Sequence, residues 1–172
     1  MRTEENNYAY IDAANLHKGV ISLGWELDYA RFRVWLTEKY HVSRAYIFIG
    51  LIPRYKDLYT ALQEAGFILV YKEVVYDGKG NAKGNCDADL VLRATIDMFE
   101  GENDKAVLVS SDGDYASLVS FLQERNKMKV VLSPHTNNKC SILLKRTNVP
   151  ITYLSDVKPF LEVQKEKAPE TD

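Results

Sequence analysis

The stretch Ser110-Ser111-Asp112-Gly113-Asp114 follows the apolar run Val107-Leu108-Val109 and precedes a second apolar segment that starts at Tyr115. Two carboxylates therefore stand where a buried strand would end. One aspartate there is explained as a helix cap, worth about 1 kcal/mol and needing no function. A cap explains one acid, not two with serines. Asp12 likewise closes the run Tyr8-Ala9-Tyr10-Ile11, with Asn15 three residues on, and Asp87 and Asp89 open a helical stretch after a glycine-rich loop. Carboxylates crowded together repel and raise one another's pKa. A divalent cation removes that cost, and an all-oxygen ligand set suits a hard ion, Mg2+ or Mn2+. Such an ion lowers the pKa of a bound water and stabilises charge on a phosphodiester. The chemistry these residues point to is phosphodiester hydrolysis.

Those acids converge only if the chain builds the right frame. Hydrophobic patterning predicts strands over 8–12, 44–51, 67–76 (one long or two short), 105–110, 129–133 and 150–154. Helices are predicted over 26–40, 55–66, 87–100, 113–125 and 138–147, with a short one over 155–162. The spacing puts Leu27, Ala30, Val34 and Trp35 on the packed face of the first helix. Val91, Leu92, Thr95, Met98 and Phe99 share one side of the third. Runs such as Ala106–Val109 and Lys129–Leu132 are continuously apolar, as a sheet covered on both faces requires. Alternating strands and helices with such strands predict an α/β fold, a three-layer α/β/α sandwich around a mainly parallel sheet. Ligands bind at the C-terminal edge of such a sheet, where strand order reverses. The strand exits at Asp12, at Ser110–Asp114 and near His135 would meet there.

Composition narrows the classes. The chain has 172 residues, so a single domain is expected, with a sizeable core: a disordered segment over 1–7, the domain over 8–162 and a flexible charged tail over 163–172. A net charge of −2 argues against holding nucleic acid by bulk charge alone and leaves room for a local basic groove. No apolar run is long enough to span a bilayer, the polar start lacks a signal peptide's apolar segment, and Cys86 and Cys140 form no zinc or disulfide pattern. A cytoplasmic protein with reduced thiols and no membrane association is expected. The loop over 77–86 fits neither a dinucleotide fingerprint nor a phosphate-binding loop, so no nucleotide cofactor is expected.

Three motifs, Tyr8–Gly19, Gly80–Leu92 and Val107–Val119, in that order, resemble the NYN domain family, in the LabA-like branch of the PIN-like nucleases. The resemblance spans roughly 8–155 and implies a PIN-like sandwich with a metal-ion nuclease site acting on RNA. Carried over by position, it implies Asp12, Asp87, Asp112 and Asp114 as metal ligands and catalytic residues. Asn15, Ser110 and Ser111 would position substrate.

Other residues carry competing readings. Lys79 and Lys83 sit in a glycine-rich loop that is either simply mobile or a flap meeting the nucleic acid backbone. His135 and Lys139 follow a strand on the active edge and are surface residues or substrate contacts; His17 follows the first motif and could touch ligand. Asp89, Arg93 and Asp97, spaced by four, can form a solvated ion-pair stripe. Most tyrosines, Tyr8, Tyr46 and Tyr71 among them, are read as core, and Tyr115 as the anchor of its helix. A covalent serine is disfavoured: no G-x-S-x-G elbow exists, and no histidine has a recognisable partner for Ser111. The function expected is a Mg2+- or Mn2+-dependent nuclease on single-stranded RNA, with a homodimer possible. The alternatives are a non-catalytic RNA- or protein-binding regulator that uses the same acidic pocket, and a phosphohydrolase of small esters.

Overall fold

The computed structural model describes residues 4–83 and 85–165. Strand β1 (Asn7–Asp12) leads into helices α1 (Ala13–Ser22) and α2 (Tyr29–Tyr40), then β2 (Val42–Leu51). A single 3-10 turn, Pro53–Tyr55, precedes α3 (Lys56–Glu64) and β3 (Phe67–Glu73). Short strands β4 (Val75–Tyr76) and β5 (Ala82–Lys83) form a separate antiparallel ribbon. Helix α4 (Asp87–Glu100), strand β6 (Ala106–Val109), α5 (Ala116–Glu124) and β7 (Met128–Ser133) follow. The chain closes with α6 (Ile142–Arg146), β8 (Ile151–Tyr153) and α7 (Lys158–Leu161).

The main sheet has six parallel strands in the order β3-β2-β1-β6-β7-β8. Strand order runs outward from β1 in one direction and from β6 in the other. The crevice between their carboxyl ends is therefore a topological switch point. Register places Ile11 beside Val109, so Asp12 and Ser110 leave the sheet side by side.

Strands β2, β1, β6 and β7 alternate between two cores. Ala9 and Ile11 face one cluster, with Leu16 and Val20 of α1 and Phe32 and Leu36 of α2. Tyr8 and Tyr10 face the other, with Leu90 and Ala94 of α4 and Leu118 and Leu122 of α5. With no helix-facing side left for water, the strands need no polar alternation, which is why they read as apolar runs. No helix among the described residues is long and apolar enough to cross a membrane.

Several expectations need correction. No element is predicted over 13–22, yet α1 forms there: Asp12 caps it by accepting the Asn15 amide at 3.1 Å, and Leu16, Gly19 and Val20 are buried. The packed face of α2 is Phe32, Leu36 and Tyr40, while Val34 is exposed. On α4, Leu92 and Phe99 are exposed and Leu90, Ala94 and Asp97 are buried. A short amphipathic pattern with extra apolar residues fits more than one face, and tertiary packing selects among them. Tyr71 is exposed rather than core, because β3 is an edge strand. The helix predicted over 138–147 shortens to Ile142–Arg146, capped by Ser141.

The fold also reaches further toward the N-terminus than 8. Asn7 is fully buried and donates to the Tyr40 carbonyl at 2.7 Å, and Glu5 pairs with Lys129 at 2.7 Å and Lys105 at 3.5 Å. Residues 1–3 of the segment expected to be disordered, and 166–172 of the tail, lie outside the described residues. Within the tail, Val163 donates its amide to the Glu26 carbonyl at 3.0 Å.

Candidate functional site

Three elements deliver three carboxylates to the switch point. Asp12 is the last residue of β1, Asp87 the first of α4, and Asp112 the cap of the 3-10 turn Gly113–Tyr115 that follows β6. One oxygen from each lies within 4.8 Å of the others, and all three residues are half-buried.

Local structure holds each in place. Asp112 accepts the Asp114 amide at 2.9 Å, and its own amide donates to Ser110 Oγ at 3.1 Å. Asp87 is braced by Asn85, whose side-chain oxygen accepts the Asp87 amide at 2.8 Å and whose Nδ2 donates to Oδ2 at 3.2 Å. Helix α4 is pinned to β1 by a buried polar group. Asp97, 2% exposed, accepts from the Tyr10 hydroxyl at 2.8 Å and pairs with Arg93 at 3.0 Å. The solvated stripe expected of Asp89, Arg93 and Asp97 is thus not what forms. Asp97 is anchored in the core, and Asp89 turns instead to Lys72 at 3.2 Å.

Tyr115 ties the cluster together. Its ring is a core residue, 1% exposed, and its hydroxyl lies 2.8 Å from Asp87 Oδ1 and 3.2 Å from Asp12 Oδ2. The ring's place in the core is legible in the sequence; the reach of the hydroxyl to both acids is not. The aromatic following D-x-D was its one available signal. Burial, then the charge of Asp12, pushes the Tyr115 phenol up, so it stays a neutral donor. Burial is also the main cause that raises the Asp12 pKa, with Asp87 and Asp112 adding like charge; the Asn15 amide and Tyr115 work the other way. Neighbouring Cys86 is pushed up to about 11, chiefly by burial and then by Asp12, so its thiol stays protonated.

A second layer fixes the loop after β6. Asn15 Oδ1 accepts the Ser111 amide at 2.9 Å and lies 3.0 Å from the Ser111 hydroxyl, which is 2.7 Å from His135 Nδ1. Burial lowers the His135 pKa, with Lys139 adding to the effect. Ser111 does therefore have a histidine partner, which the sequence could not reveal because strand register, not spacing, brings them together. Ser111 is only 5% exposed, and its hydroxyl lies within hydrogen-bond distance of both Asn15 and His135. The close approach depends on Gly19: a Cβ there would sit 2.5 Å from Pro134 Cβ and 2.8 Å from its carbonyl oxygen. Ser110 Oγ reaches Asp12 Oδ2 at 3.5 Å.

Not every predicted residue joins the cluster. Asp114 is exposed and lies outside the trio of carboxylates. It sits one step into the 3-10 turn, where its amide rather than its carboxylate serves the site. Lys83 is exposed on β5, paired across the ribbon with Val75, and does not line the cavity beside the trio. His17, Asn15 and Lys18 do line it.

The donor set fits a hard divalent cation. It offers carboxylate oxygens alone, from three separate elements, and the like charge of Asp87 and Asp112 adds to the burial that raises the Asp12 pKa. The model of the NYN domain family matches residues 8–152. No curated protein matches the chain. Among solved structures, a Vibrio parahaemolyticus protein of unknown function shares the fold, with a TM-score of 0.77 and 22% sequence identity. The match covers 95% of this chain and 99% of that one.

Proposed function

The chain belongs to the NYN domain family, and from that premise we propose that it is a Mg2+- or Mn2+-dependent nuclease that hydrolyses phosphodiester bonds in single-stranded RNA. The observation that carries the reading is the convergence of Asp12, Asp87 and Asp112 at the switch point.

Asp12, Asp87 and Asp112 would hold the cation. When bound, it would supply an activated water and charge stabilisation at the phosphodiester. The residues of the chain do the positioning. Tyr115 keeps Asp12 and Asp87 in one cleft despite their like charge. Asn15 locks the Ser111 backbone, and through it the turn that presents Asp112. Ligation competes with protonation of Asp12, whose pKa burial raises, and this couples activity to pH.

The test is cleavage of an end-labelled single-stranded RNA in EDTA, then with Mg2+ or Mn2+, by the wild type and Asp112→Asn. Metal-dependent cleavage lost in the variant is the expected result. RNA binding without turnover at any metal concentration would replace the nuclease with a binding protein that uses the same pocket. Faster turnover of p-nitrophenyl phosphate than of RNA would replace it with a phosphohydrolase.

A further inference from the structure

A cavity of about 520 Å3 opens from the acidic trio and runs between α1 and α3, within the size range of small-ligand sites. Its lining is of two chemistries: the carboxylates Asp12, Asp87 and Asp112, and an apolar part that includes Ile49, Ile52, Tyr55, Leu58, Tyr59 and Leu62. His17 and Lys18 stand at the same cavity and are exposed.

The apolar part has a rigid floor and an open wall. Tyr59 is 6% exposed, and its hydroxyl donates to the Gly50 carbonyl at 2.7 Å and accepts the Ile52 amide at 2.9 Å, so the ring cannot swing. Tyr55 and Leu58, which line the same cavity, are each 40% exposed. Arg54 braces Tyr55: its guanidinium lies 4.9 Å from the ring centroid, and Nη2 donates to the phenol oxygen at 2.9 Å. An aromatic ring fixed in place yet left open costs little entropy when a flat partner stacks on it.

We propose that the apolar part is a nucleobase pocket, which takes an unpaired base of a single-stranded RNA whose adjoining phosphodiester lies at the acidic trio. The inference rests on the nuclease reading for the location of that phosphate. A nucleotide carries the same two chemistries as the cavity lining: a flat, largely apolar base, and an anionic phosphate that a cation held between the carboxylates would serve. Lys18 supplies a positive charge for the neighbouring backbone. A base inside a duplex has its faces stacked and its edge paired, so only an unpaired or flipped base can enter such a pocket.

The experiment uses an eight-nucleotide RNA series in which each base in turn is removed to leave an abasic site. Binding is measured by anisotropy with the Asp112→Asn protein in Mg2+, alone and combined with Tyr55→Ala, Tyr55→Phe or Leu58→Ala. One position in the series should weaken binding by about 5- to 100-fold, the range of a lost base–aromatic stack. Tyr55→Ala should weaken the intact RNA by a similar factor and erase the penalty at that position. Tyr55→Phe, which keeps the ring, should restore both, and Leu58→Ala should act in the direction of Tyr55→Ala. Single-stranded DNA should show the same position dependence, and a duplex of the same sequence should bind more weakly.

A flat abasic series with RNA still bound, or a duplex bound as tightly, overturns the pocket. Metal-dependent cleavage by the wild type on the same RNA then leaves the nuclease reading standing. A position-specific penalty erased by Tyr55→Ala, with no cleavage by the wild type, supports the pocket and overturns the nuclease alone. No binding of any strand overturns the pocket, and absence of cleavage by the wild type alongside it overturns the nuclease as well.

Discussion

Tyr115→Phe removes one oxygen and leaves the core untouched, because the ring, 1% exposed, stays in place. That oxygen lies within hydrogen-bond distance of both Asp12 and Asp87, at 3.2 and 2.8 Å. A phenol has one hydrogen, and the shorter contact identifies Asp87 as its main acceptor. Hydrogen bonds to charged groups contribute about 1.5–3 kcal/mol. Both carboxylates are half-buried, so water recovers part of that when the hydroxyl is gone. A net loss of about 1.4 kcal/mol corresponds to tenfold weaker binding, at the lower end of the 10- to 100-fold range for lost supporting bonds at metal sites. The same loss removes an interaction that lowers the Asp12 pKa, which is already raised by burial and by Asp87 and Asp112. The pH at which Mn2+ binding develops should therefore rise. The assay is calorimetric titration of Mn2+ into the metal-free protein across pH 5–8, with the melting temperature as a fold control. Equal or tighter Mn2+ binding by Tyr115→Phe with an unmoved pH profile would refute the bridging role.

Metal should also stabilise the fold more at higher pH. The folded pKa of Asp12 is raised, so its protonated form favours the native state below the ordinary carboxylate range, and that contribution fades as pH rises through the raised value. Mn2+ removes the repulsion that remains, and the Mn2+-induced rise in melting temperature should be larger at pH 7.5 than at pH 5; a constant rise would contradict the assignment. Asn15→Ala leaves the buried Ser111 amide without its 2.9 Å acceptor and should cost about 1–3 kcal/mol in urea denaturation; a change within error would mean that Asn15 does not hold the loop. Gly19→Ala drives a Cβ to within 2.8 Å of the Pro134 backbone and should cost about 1–3 kcal/mol by overpacking. An unchanged melting temperature would show that α1 shifts freely.

Much of the frame was legible because the strands are buried on both faces and read as unbroken apolar runs between helical patterns. Asp12, Asp87 and Asp112 were legible as acids at chain exits from those elements. What stayed hidden depends on contacts remote in sequence. The Asp87–Tyr115 bond spans 28 residues and the Asn15–Ser111 bond 96, and no local spacing encodes either. Asp97 reads as a surface charge on α4 until Tyr10 is seen across the core. Asp112 and Asp114 look equivalent in sequence; only the tight turn over Gly113–Tyr115 separates the clustered carboxylate from the exposed one. The cavity beyond the trio had no motif at all, because its walls come from α1, β2, α3 and the chain preceding α4.

The most direct test of the central claim is the single-turnover rate of Mn2+-dependent cleavage of a labelled single-stranded RNA by wild type, Asp12→Asn, Asp87→Asn and Asp112→Asn, side by side. A shared cation site predicts metal-dependent cleavage by the wild type and a loss of at least about 100-fold in each variant, since each removes a ligand from one centre. Cleavage that persists at the wild-type rate in the three variants, or a wild-type protein that cuts no RNA with either metal, would contradict it.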